Sequence, residues 1–223
     1  MTGGYAPSAL RCLGVPVPNM RVVVREFAKT MKPLPPGEII DTALALAERG
    51  TVEGRQAGYE LIERRPDAMA LLTTRLVEQL GAGNDNWASV DGFATSLAGP
   101  AWREGLVTDA AVRRWAQSSD KWWRRTALAS TVALNVAARG GRGDARRTLM
   151  VCDLLDQTTD PMLAKALSWA LRSLVPHDPK AVRAFLDRHA KLSAIVRREV
   201  TTKLETGRKI TIAPNRRGSA SSR

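Results

Sequence analysis

Apolar side chains recur three and four positions apart along almost the whole chain, and strict alternation is scarce. Ile39, Ile40, Ala43, Leu44 and Ala47 form one such stripe, and Leu71, Leu72, Leu76 and Leu80 another. Ala127, Leu128, Val132 and Val136 follow the same rule, as do Leu163, Ala166, Leu167, Ala170 and Leu174, and then Ile195, Val196, Val200 and Leu204. This is the period of amphipathic helices. Proline and glycine punctuate it. Pro33, Pro35 and Pro36 precede Glu38, while Gly81 to Gly83, Gly99-Pro100, Gly140 to Gly143 and Asp160-Pro161 mark further starts or stops. Asp178-Pro179 has the form of an N-cap with proline at the first helical position. Val22-Val23-Val24 could be a strand, but Pro18 before it and Arg25-Glu26-Phe27-Ala28-Lys29 after it favour a helix. Helices of about ten to eighteen residues joined by short turns predict an all-α fold of stacked antiparallel hairpins. That is a HEAT-like repeat solenoid with a concave face.

Charge changes the picture next. Lys and Arg number 34 against 22 acids, a net charge of +12. A balance this basic points to a polyanionic partner, or else to a merely solvated surface. A basic concave face would fit a duplex. Part of the excess lies in a basic tail expected over residues 207–223, which mixes five arginines and lysines with Pro214 and a Gly-Ser-Ala-Ser-Ser run. Residues 1–206 are expected to be the folded domain. Two cysteines, Cys12 and Cys152, do not make a disulfide framework, and two histidines offer too few donors for a structural metal site. No apolar run reaches the ~18 residues of a membrane span, so the chain is expected to be cytoplasmic, cofactor-free and without a membrane partner.

Three clusters carry candidate chemistry. Trp87 and Asp91 are four apart, so on a helix they share a face. A tryptophan in a hairpin interface with a solvated aspartate would look the same. Lys121-Trp122-Trp123-Arg124-Arg125 combines stacking surface with phosphate-binding forks. Successive residues face different ways, so one Trp and one Arg should support the core while the other Arg faces DNA. Lys165, Trp169 and Arg172 fall on one helix face, a cation–aromatic–cation stripe unlike a core face. It is matched by a half-buried tryptophan flanked by snorkelling charges.

Taken in order, W-x-x-x-D at Trp87, W-x-x-R at Trp122 and A-x-x-W-x-L-R at Ala166 resemble the DNA alkylation repair family, the AlkD-like glycosylases. Gly14-Val15-Pro16-Val17-Pro18 with Arg21 looks like the family's entry segment, and Arg197-Arg198-Glu199 with Lys203 like its closing basic helix, so the likeness covers most of the chain. The resemblance implies a HEAT-like cradle for double-stranded DNA and excision of cationic N3- and N7-alkylated purines without base flipping. It implies Asp91 as the catalytic carboxylate, Trp87 and Trp169 flanking the lesion nucleotide, and Arg125 as an active-site arginine near the DNA backbone. Lys165, Arg172, Arg124, Arg197, Arg198 and Lys203 are then expected to contact DNA, and the protein to act as a monomer. Two departures stand out: the proline break at Met31 to Pro36, and Ala88-Ser89 in place of a more acidic and hydroxylated pair. Some relatives bind distorted or branched DNA without excision. That is the alternative function, and retention of Asp91 argues against it.

The chemistry suits these residues. Alkylation makes the base a neutral leaving group, so no strong general acid is required. The sugar becomes cationic, and a carboxylate near C1′ stabilises that charge and can orient water. Tryptophan faces exclude water and favour a cation. No amine nucleophile is apparent, which predicts a monofunctional hydrolase.

Overall fold

The computed structural model describes residues 8–208, and among these the chain is all-helical. The one β contact is an isolated bridge between Arg11 and Thr51. In chain order the helices are α1 (Val17–Thr30), α2 (Pro36–Glu48), α3 (Val52–Glu63), α4 (Pro66–Met69), α5 (Thr74–Gly81) and α6 (Trp87–Phe93). A π-helical segment (Ala94–Ala98) leads directly into α7 (Gly99–Arg103). Then come α8 (Asp109–Ala116), α9 (Lys121–Asn135), a 3-10 turn (Ala137–Arg139), α10 (Ala145–Leu154), α11 (Pro161–Leu174), α12 (Pro179–Arg188) and α13 (Ala194–Thr206). No helix among the described residues is long and apolar enough to cross a membrane. The basic tail expected over 207–223 lies, from residue 209 onward, outside the described residues.

The helices start where the sequence offers a capping oxygen. Thr51, Thr73, Asn86, Thr108, Asp144 and Asp178 each accept an amide hydrogen from three residues on. Each such cap contributes about 1 kcal/mol. The valine run is helical, as its flanks predict: Met20, Val24 and Met31 form a buried stripe, while Val22 and Val23 point to solvent.

Gly99-Pro100, expected as a start or a stop, opens α7 but does not interrupt the helical run, which continues from Trp87 to Arg103. The reason is the π-helical segment just before it. Proline has no amide hydrogen and its ring crowds the carbonyl four residues back. A wider turn, bonded five residues apart, relieves that conflict. Gly99 serves packing there, because a Cβ at that position would lie 2.5 Å from the Ser130 carbonyl oxygen of α9.

Helix α9 is the centre of the molecule. It is buried continuously from Arg125 to Asn135 and packs against α6, α7, α8, α10 and α11. Helix α11 lies between α9 and α13, and α2 packs on α3. At the far end of α9, Asn135 spends its side chain on a neutral network. Its two amide hydrogens are shared among the Thr131 carbonyl (2.9 Å), Thr148 Oγ1 of α10 (2.9 Å) and Ser173 Oγ of α11 (3.2 Å). Its oxygen accepts from the Asp144 amide. One buried residue thereby ties three helices together with its polar groups satisfied.

Candidate active site

Asn86 caps α6 through the Ser89 amide at 2.9 Å, which starts the helix at Trp87 and brings Asp91 round one turn later. Facing it, Arg125 occupies the second turn of α9. Its guanidinium forks onto the Asp91 carboxylate, Nε to Oδ1 at 2.8 Å and Nη2 to Oδ2 at 2.7 Å. The remaining Nη1 donates to the Met162 carbonyl at the start of α11. Arg125 is 5% exposed, whereas the Asp91 side chain keeps 20% of its surface open. The pair is therefore sealed from behind and open on the carboxylate side. Burial pushes the Asp91 carboxyl above the ordinary aspartate value, and the Arg125 guanidinium works against that rise.

The open side of Asp91 faces a cleft of about 390 Å³. Trp169 from α11, Ser96 from the π-helical segment, and Arg21, Gln56 and Arg139 also line it. One wall is the chain that precedes α1, represented by Cys12 and Val15. That segment is held by its backbone. The Leu13 and Val15 amides donate to Glu53 on α3 at 2.9 and 3.2 Å, and Ser8 and the Ala9 amide bond to Asp85 beside the α6 cap. Beneath the site runs a chain of aromatic contacts, Tyr59 to Phe93, Phe93 to Trp123 and Trp123 to Trp115, with ring centroids 5.3, 6.3 and 5.3 Å apart. Gly81 makes room for it, since a Cβ there would lie 2.6 Å from the Phe93 ring.

The structure places the expected residues unevenly. Asp91 and Trp169 share the cleft. Trp87 is half-buried at the first position of α6 and is not among the described residues lining that cleft. Arg125 was expected at the DNA backbone, but it points inward, because a buried carboxylate and a helix-start carbonyl take all three of its nitrogens. Of the tandem tryptophans, Trp123 joins the core and Trp122 lies under Lys121, 4.9 Å from its ammonium. Arg124 is half-buried. Two more of the expected DNA contacts are also engaged internally. Arg172 bonds Ser168 and pairs with Glu199 at 3.4 Å, and Arg197 donates to the Leu186 and His189 carbonyls at the end of α12. Lys165 and Arg198 are exposed, and Lys203 is half-buried.

Gln56, Ser96, Arg21 and Arg139 were not foreseen as cleft residues. The one local signal was on α3, where Gln56, Glu60 and Glu63 fall on a shared polar face. Glu60 accepts from Arg21 Nε at 3.1 Å and Glu63 from Arg139 Nη1 at 2.9 Å.

These features define an all-helical protein with a guanidinium-held carboxylate beside a tryptophan in an open, arginine-bordered cleft. The chain belongs to the family described as DNA alkylation repair enzyme, whose model matches residues 3–204. No curated protein matches the sequence.

Proposed function

We propose that this protein is a monofunctional DNA glycosylase that removes cationic alkylated purines, 3-methyladenine and 7-methylguanine, from double-stranded DNA. The observation that carries the reading is Asp91: a mostly buried carboxylate, locked by Arg125 and open only toward the cleft that Trp169 lines. A fixed negative charge in a partly dehydrated wall stabilises an oxocarbenium-like sugar far better than a mobile one in water. The positive charge that the lesion already carries weakens its bond, and, as the family resemblance implies, the base is not extruded into a separate pocket. None of the described residues lining the cleft is a lysine, in keeping with hydrolysis rather than an amine-linked lyase step.

In this reading Arg125 acts through Asp91 and not through phosphate. Trp87 and Trp169 flank the damaged nucleotide. Lys165, Arg124, Arg198 and Lys203 supply backbone attraction on the concave face of a HEAT-like stack, and the protein works as a monomer without a cofactor. The deciding experiment incubates the protein with methylated duplex DNA and quantifies the freed bases. Release of 3-methyladenine and 7-methylguanine well above the spontaneous rate is expected. DNA binding with no release above that rate would reduce the protein to a noncatalytic DNA binder.

A further inference from the structure

Arg139 stands on the wall that two clefts share. The cleft of Asp91 (about 390 Å³) and its neighbour (about 500 Å³) are both lined by Thr95, Ser96 and Arg139. The arginine is anchored at one nitrogen only. Nη1 donates to Glu63 at 2.9 Å and to Ser96 Oγ at 3.2 Å. Among the described residues nothing bonds Nη2 or Nε, and 35% of the side chain is open. Arg125 looks quite different, with all three nitrogens bonded. The backbone of Arg139 is fixed as well, because Arg103 Nη1 donates to its carbonyl at 2.6 Å. The result is a pre-positioned guanidinium with a spare donor edge, the form suited to an anionic oxygen.

Its register relative to Asp91 is also set. Thr95 Oγ1 bonds the Asp91 carbonyl at 2.7 Å, and Ser96, the next residue, holds Arg139. Five residues of helix, the last three in the wide turn, advance about 7 Å at most, no more than roughly two nucleotide rises along one strand. We infer that Arg139 binds a phosphate of the damaged strand, within two nucleotides of the base at Asp91. The inference takes its ligand from the DNA-repair reading above, and it adds a strand-positioning contact on the turn after α9.

The test uses duplexes with a tetrahydrofuran abasic analogue at the lesion position, so binding is read without excision. A single methylphosphonate replaces each phosphate in turn within two nucleotides of the analogue, removing one negative charge. Wild-type protein should lose about tenfold in affinity at one of these positions, the worth of one charged hydrogen bond. Arg139→Gln should bind that duplex and the unmodified one equally, and its plot of log affinity against log salt should be shallower by about one. Arg139→Lys keeps the charge and should retain the discrimination in part. A purely structural arginine would lower the melting temperature and leave the discrimination intact.

If no methylphosphonate weakens the wild type, or if Arg139→Gln discriminates as the wild type does, the phosphate site is overturned even where base release is robust. If the discrimination depends on Arg139 and no base is released, the phosphate site stands and the glycosylase reading fails. Absence of any duplex binding overturns both.

Discussion

The two ends of α9 solve the same problem in opposite ways. At its C-terminal end, Asn135 is 2% exposed and joins α9, α10 and α11 through neutral hydrogen bonds. At its N-terminal end, Arg125 is nearly as buried and joins α9 to α6 and α11, but through a charge whose partner keeps a fifth of its side chain open to solvent. A neutral network of satisfied groups stabilises and does nothing more. A buried ion pair is a weak source of stability, since desolvation offsets much of its attraction. Its presence at one end only marks that end as the place where a fixed charge is needed.

The comparison can be broken most severely at Arg125. Arg125→Leu leaves the Asp91 carboxylate buried and unpaired, and should cost about 3 kcal/mol of stability, read from the urea midpoint. It should also slow excision, by freeing the Asp91 carboxylate from its fork and raising its carboxyl further. A variant as stable as wild type would mean that Asp91 is not desolvated. Next, Asp91→Asn should slow single-turnover release of 7-methylguanine by about a hundredfold or more, with duplex affinity within about twofold. Comparable rates in the variant would remove Asp91 from the chemistry.

The acid limb of the wild-type profile sharpens the point, because the sign of the shift matters. The folded carboxyl titrates above its ordinary value of about 3.9. Catalysis should therefore fade as pH drops through a point above that value. For stability the same shift acts the other way: its contribution is present below about pH 3.9 and lost as pH rises through the folded value. Acid should thus silence the enzyme without this pair loosening the fold. The smallest effect is expected at the other end of the helix. Asn135→Ala removes the bonds to Thr148 and the Asp144 amide and one of the two at Ser173, and should lower stability by about 2 kcal/mol while excision per folded molecule stays unchanged. Lost excision there would mean that the two ends are coupled.

What could be read from the chain beforehand was what helices determine locally. Trp87 with Asp91 and Lys165 with Trp169 each lie one turn apart, so a common helix face follows from sequence spacing, although of the four only Asp91 and Trp169 line the cleft. The caps at Asp160 and Asp178 were legible for the same reason. The partner of Asp91 was not, because Arg125 lies thirty-four residues away and reaches it only once α6 packs on α9. Arg139 and Glu63 are seventy-six residues apart, and the turn that carries Arg139 reads in sequence only as a glycine break. What the start-or-stop signal at Gly99-Pro100 did not show is that the helix before it runs straight on past the proline at 100. Its disruptive effect is real, but the five-residue segment before it absorbs that effect without ending the helix.

That wide turn also governs which insertions and deletions the gene can tolerate. A π-helical turn holds one residue more than an α-helical one. Deleting a single residue within Ala94–Ala98 would restore ordinary helical bonding and leave the helix beyond in register, so Gly99 would keep its place against the Ser130 carbonyl. Inserting one, with no further wide turn to absorb it, would swing everything beyond by about 100°, lifting Gly99 off that carbonyl and Trp102 out of the core that it now fills completely. In this stretch a one-residue insertion should therefore be more damaging than a one-residue deletion, whose cost is the renewed crowding at Pro100.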